Sequence, residues 1–208
     1  EVLNGLYTAF NSVLKRHGGY LNKIEGDSVM FHYGGFTDER TRTGDEEQAL
    51  RVIAKELFYT CVEMQRVAVL FNQANARFLS ENTSEEDRNA LQRAFEIISR
   101  LRKDDELMSS MNAMFQLRIR VGASIGQVTI GNFGPEGARQ WDVIGVPVID
   151  AKRMETTAPV GGLRIAREYY EILEQIGVVD EYYQRFIREN QILGSRYQHI
   201  SKDELFQY

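Results

Sequence analysis

The chain has 208 residues, 43% of them hydrophobic and 26% charged, with a formal net charge of −5. That is enough apolar content for one core but crowded for two, and there is no basic excess to meet a phosphate backbone, which argues against a nucleic-acid partner. The lone Cys61 argues against a disulfide framework or a cysteine metal site. It reads as a small buried apolar residue in a reduced, intracellular compartment.

Leu3, Leu6, Phe10, Val13 and Leu14 recur at helical spacing, and His17-Gly18-Gly19 supplies glycines to end the helix. The runs YLNKIE and SVMFHY then read as two strands of a hairpin turning through Gly26-Asp27. A polar loop leads into a long helix from about Asp45 to Asn72, with Leu50, Ile53, Leu57, Cys61, Met64, Ala68 and Phe71 on one side. Ser84 and Asp87, spaced like a capping box, open a second helix over 84–104. The period then changes to two in LRIRVGAS and QVTIGNFG, which predicts a second hairpin.

GVPVIDAKRMET starts with glycine and proline placed for a first helical turn. After it, LRIA reads as a short strand, followed by a helix with Tyr169, Ile172, Leu173 and Ile176 inward. The last thirty residues are mixed in pattern and end in ISKDELFQY, a candidate strand. Helix, hairpin, long helices, hairpin, helix, strand, helix indicates an α+β layer fold: an antiparallel sheet with helices on one face, in a single domain over 1–208. No apolar run approaches the roughly 20 residues of a membrane-spanning helix, and the first residues read as the start of a helix rather than a secretion signal. The piece reads as soluble, with a longer, tethered parent left open.

Two stretches carry chemistry. In NKIEGDSVMFHYG, Asp27 sits at a corner that projects a carboxylate beyond the strands, suited to a hard divalent cation, although aspartate is also a common turn residue. Lys23 stands four residues before it and, by itself, reads as an edge charge. In ARQWDVIGVPVIDAKRMET, Asp142 lies in a short apolar run, three residues before Gly145, and Arg153 shares a helix face with Ile149. An acid and an arginine so placed are ordinarily a structural ion pair or solvated charges.

Taken in order, these pieces resemble the class III nucleotidyl cyclase catalytic domain, the family of adenylate and guanylate cyclases. The resemblance runs through LNGLYTAFNSVLKRHGGYLNKIEGDSVMFHYG with its Lys-x-x-Gly-Asp hairpin, and resumes at LRIRVGASIGQVTIGNFG and WDVIGVPVIDAKRMET. It implies a ferredoxin-like sheet and, by position, roles for four residues. Asp27 matches one of two aspartates that hold paired Mg²⁺ or Mn²⁺ ions. Lys23 matches the purine-reading residue, lysine in adenylate and glutamate in guanylate cyclases; Asp142 matches its acidic partner. Arg153 matches the arginine that stabilises charge on the α-phosphate. The implied activity is conversion of ATP to cyclic AMP and pyrophosphate at the interface of a head-to-tail homodimer, with room for upstream sensor domains. The expected location is cytoplasmic, as a free protein or as part of a larger membrane-bound one.

The sequence departs from the family pattern in three places. The other metal aspartate, and the strand that bears it, would precede residue 1. The asparagine that orients the ribose is Ile149, which offers no polar atom. The C-terminal lysine for the terminal phosphates has no clear counterpart, Lys202 being the nearest. In addition, residues 74–116 have no equivalent in the compact family domain and read as a mostly helical, charged insertion whose methionines, in ELMSSMNAMFQ, suit core filling. An arm for dimer or sensor contacts is the alternative. A slowed adenylate cyclase and a cyclase-like module that binds nucleotide or dimerises without chemistry are thus both open.

Overall fold

The computed structural model describes residues 1–42, 44–103 and 116–207. The chain divides into two compact units, Glu1–Ala166 and Arg167–Tyr208.

The first unit opens with helix α1 (Val2–His17), which ends where Gly18 turns left-handed and its N–H reaches back to Leu14 and Lys15. Strands β1 (Tyr20–Glu25) and β2 (Ser28–His32) form the antiparallel hairpin expected from the sequence. Gly26, at φ 60°, takes the left-handed corner that glycine adopts without a Cβ penalty. Helix α2 (Glu46–Asn72) starts on Asp45, whose carboxylate accepts from the Gln48 N–H at 2.9 Å. Helix α3 (Glu85–Lys103) starts beside Ser84, whose Oγ accepts from the Asp87 N–H.

These three helices enclose an apolar core. Leu6, Val13 and Leu14 of α1, Met64 and Phe71 of α2, and Leu91 and Ile98 of α3 are buried together. Helix α3 therefore lies within the packed body of the unit rather than extending from it as an arm. The methionine run assigned to core filling lies at 108–114, outside the described residues. Cys61 is fully buried, and burial pushes its thiol up to about 12, leaving it an inert apolar filler.

Beyond the helices the strands pair differently from the sequence expectation. LRIRVGAS and QVTIGNFG do not form a hairpin with each other. Instead β3 (Val121–Ala123) runs parallel to β6 (Leu163–Ile165), while β4 (Thr129–Phe133) pairs antiparallel with β5 (Gln140–Ile144). The reason is packing. Between them lies α4 (Val146–Thr157), which rides directly on β3, so that a Cβ built on Gly122 would stand 2.0 Å from the Glu155 nitrogen and 2.3 Å from the Ala151 oxygen. With α4 seated there, the chain returns as β6 along the edge of β3, and β4 takes the nearest strand in sequence. The α+β class is the one expected, with the described strands hydrogen-bonded as three two-stranded ladders.

The second unit is helical: α5 (Arg167–Gln175), α6 (Val178–Ile192) and α7 (Lys202–Leu205). Tyr183 donates to the Ile200 carbonyl, and the Phe206 ring rests near Tyr170 and Tyr182. In place of the candidate strand ISKDELFQY, Lys202–Leu205 form a helical turn. Ser201 and Glu204 form a reciprocal capping box, which satisfies the end N–H groups locally where a strand would need a partner.

Candidate functional site

The first hairpin and β5 meet through side chains rather than through a backbone ladder. Asp142 on β5 is the meeting point. Its Oδ2 receives Lys23 Nζ at 3.2 Å, and its Oδ1 receives both Asn22 Nδ2 at 2.9 Å and the Val143 N–H at 2.8 Å. Lys23 also stands 3.5 Å from Glu25.

Asn22 and Lys23 are consecutive, and in a regular strand they would face opposite ways. They reach the same carboxylate because β1 is irregular here: Leu21 pairs with Phe31 and Lys23 with Met30, so Asn22 is an extra, unpaired residue. A bulge of this kind twists the strand and re-aims its side chains. Asn22 carries no motif in the sequence, and the one signal for it, the slip in register, exists only once β2 is paired.

The hydrogen bond to Asp142 raises the Lys23 pKa, and the bonds from Asn22 and the Val143 N–H lower that of Asp142. Both groups are therefore charged at neutral pH, one a donor and the other an acceptor. Their side chains stay 39% and 30% exposed, so as a structural ion pair they contribute only about 0–1 kcal/mol. A pair this weakly held can exchange one of its bonds for a ligand at little cost.

The other candidate residues are not joined to this pair. Asp27 stands exposed at the hairpin corner, which is fixed from behind by the Tyr7 hydroxyl donating to the Gly26 carbonyl. Arg153 projects from α4 with a side chain 71% exposed and a long contact, 3.4 Å, to Asp150. Ile149, one turn earlier, is 54% exposed and puts an apolar surface where a polar side chain would face the same solvent. Lys202 is bonded to Asp180 at 2.7 Å within the second unit. Asp27 offers oxygen, the donor a hard divalent ion takes, but as a single carboxylate. Among the described residues no group of three or more His, Cys, Asp or Glu side chains could hold a metal ion.

The loop after β2 is anchored by residues that the sequence reading passes over. Asp38 is buried and accepts from the Gly34 N–H and from Arg40, whose guanidinium also donates to the His17 and Gly18 carbonyls. Burial alone would raise the Asp38 carboxyl, but the Arg40 bonds hold it below its ordinary value. This network ties the exit of the hairpin to the end of α1 and so fixes where β1 and β2 emerge.

Comparison with known proteins bears on what this arrangement serves. Residues 1–193 match the family model described as the adenylate and guanylate cyclase catalytic domain. Among solved structures, the guanylyl cyclase Cya2 aligns with TM-score 0.53 at 20% identity, over 82% of this chain and 64% of that one. The adenylyl cyclase CyaB from P. aeruginosa aligns with TM-score 0.54 at 18% identity, over 84% and 67%. The guanylyl cyclase domain of the RhoGC fusion protein from the aquatic fungus Blastocladiella emersonii, in a dimeric form, aligns with TM-score 0.51 at 18% identity, over 84% and 69%. The chain thus spans about two thirds of the length of these structures. Among curated proteins none matches the sequence. Among the described residues no helix is long and apolar enough to cross a membrane.

Proposed function

Because the chain belongs to the adenylate and guanylate cyclase catalytic domain family, we propose that residues 1–208 act as one catalytic domain that converts ATP to 3′,5′-cyclic AMP and pyrophosphate. The observation that carries the choice of base is the Lys23–Asp142 pair. Adenine presents a ring acceptor, N1, beside an exocyclic amine; an ammonium can donate to the first while a carboxylate accepts from the second. Guanine presents N–H and carbonyl in the opposite order, and would set donor against donor and acceptor against acceptor, a mismatch that leaves polar groups unpaired. Lys23 and Asp142 bond each other directly, so adenine would enter by taking over one contact from each.

In the reaction the ribose 3′-oxygen forms a bond to the α-phosphorus, loses its proton, and the bond from that phosphorus to the pyrophosphate oxygen breaks. Arg153, solvent-facing and always protonated, suits the charge that builds on the α-phosphate oxygens, because its fork can bind two of them. Asp27 is the ligand this chain offers to a divalent ion. Such an ion, Mg²⁺ or Mn²⁺ and by family resemblance one of two, would supply charge neutralisation at the attacking and leaving oxygens. Asp27, Arg153 and the Lys23–Asp142 pair all face solvent, as residues that complete a site across a head-to-tail homodimer must.

Ile149 favours a second reading, a cyclase-like module that binds nucleotide or dimerises in signalling with little turnover. Where an asparagine would hold the ribose, it offers no hydrogen bond, and loss of one transition-state donor slows a reaction by on the order of 10²–10³. The test is a cyclase assay of the gene's full product with ATP or GTP and Mn²⁺, beside Ile149→Asn and Asp27→Ala. Cyclic AMP that rises with Ile149→Asn and vanishes with Asp27→Ala supports the enzyme; silence in every protein supports the module.

A further inference from the structure

The Asp142 carboxylate is held by more than its lysine. Two donors, the Asn22 amide and the Val143 N–H, occupy Oδ1, and Oδ2 is left to Lys23. Asn22 reaches Asp142 only because it is the extra residue of the β1 bulge. Its own oxygen is buried without a hydrogen-bond partner. The amide cannot simply be turned over to relieve this, since its oxygen would then face Asp142 Oδ1. An apolar side chain would avoid leaving a buried acceptor unsatisfied, so the position keeps an amide at a cost to stability. That cost calls for an explanation outside packing.

We propose that Asn22 is the positioning residue for base selection: it fixes the Asp142 carboxylate so that Oδ2 alone is presented, beside Lys23, to the exocyclic amine of a purine. Without Asn22, Oδ1 keeps only the bond from the neighbouring Val143 N–H, and the carboxylate can turn about that one bond, share both oxygens with Lys23, and accept in orientations that distinguish adenine from guanine less well. The proposal rests on the reading of Lys23 and Asp142 as the purine-reading pair. It adds a residue from an adjacent position that the bulge alone brings to the same side.

Its test is competition of ATP and of GTP against a fluorescent ATP analogue, with Mn²⁺, on the full protein and on Asn22→Leu, which keeps the shape of the side chain and removes the donor. Steady-state kcat and KM are measured in parallel wherever turnover is found. The expected result is an ATP preference in the wild type that falls about tenfold in Asn22→Leu, through weaker ATP binding and a raised KM more than a lowered kcat, with thermal stability kept or improved. Asn22→Asp, nearly isosteric, places a second carboxylate against Asp142 and lowers the preference at least as far. Asn22→Gln, which keeps an amide donor, restores part of it. An unchanged ATP:GTP ratio in Asn22→Leu and Asn22→Asp overturns the role of Asn22 while leaving the purine reading intact. A wild type that binds neither nucleotide, or prefers GTP, overturns the purine reading and this assignment with it.

Discussion

The helical layer and the hairpin edge of the first unit are built on opposite terms. In the layer, α1, α2 and α3 pack apolar side chains with almost no exposure, and Phe71 and Leu14 are fully buried. At the edge, Lys23, Asp142 and Asn22 are held by three hydrogen bonds and an ion pair to Glu25 in partial contact with water, and Asp27 and Arg153 stand in it. The layer carries the free energy of folding. The edge carries groups whose bonds are weak enough to be exchanged. The two are linked by Arg40 and Asp38 and by the close seating of α4 on β3, so the rigid part aims the labile part.

The sharpest way to break this division is to empty the layer. Phe71→Ala removes a fully buried ring and is expected to cost about 3–5 kcal/mol of unfolding free energy, read from a denaturant titration. A smaller effect, about 1–3 kcal/mol, is expected for Gly122→Ala, because α4 must move away from β3 to admit the methyl group. That movement carries Arg153 with it, so in this variant nucleotide turnover should fall although no site residue has changed.

Next comes the polar seam between α1 and α2. His17 bonds Glu56 at 2.7 Å and Glu63 at 2.6 Å, and Arg16 also pairs with Glu63. The Glu63 hydrogen bond raises the His17 pKa above 6.5, and that same bond lowers the pKa of Glu63 below 4.5. A raised histidine contributes fully below its unfolded value and loses the contribution as pH climbs through its folded value; a lowered carboxylate does so as pH falls through its own. Thermal stability should therefore decline as pH rises from just below 6.5 through the raised value. His17→Gln should flatten that decline, an effect below about 1 kcal/mol. Lys23→Ala should likewise change unfolding free energy by no more than about 1 kcal/mol, since it touches a partly exposed pair.

The same division governs what the sequence discloses. Helices α1 to α4 are legible because a 3.6-residue period, Ser84 at the head of α3, and the proline near the start of α4 are local signals. Strand identity was local as well, through alternation, but partner choice was not. Nothing within LRIRVGAS says that its neighbour is LRIA rather than QVTIGNFG; that depends on α4 fitting over Gly122. Ser201 and Glu204 stand at capping-box spacing, a local signal that the strand reading of ISKDELFQY passes over. At the candidate site, Lys23, Asp27, Asp142 and Arg153 were named by family resemblance, whereas Asn22 and Asp38 depend on a register slip and on a loop closing against α1, and neither leaves a mark in the sequence.

The most direct measurement is a double-mutant cycle on the ATP:GTP preference, using Lys23→Ala, Asp142→Ala and the two together. If both residues read one base, each single variant lowers the preference by on the order of 10-fold or more, and the double variant loses little beyond the larger single loss. A preference that survives both substitutions, or falls by independent steps that simply add, would contradict a shared purine-reading pair.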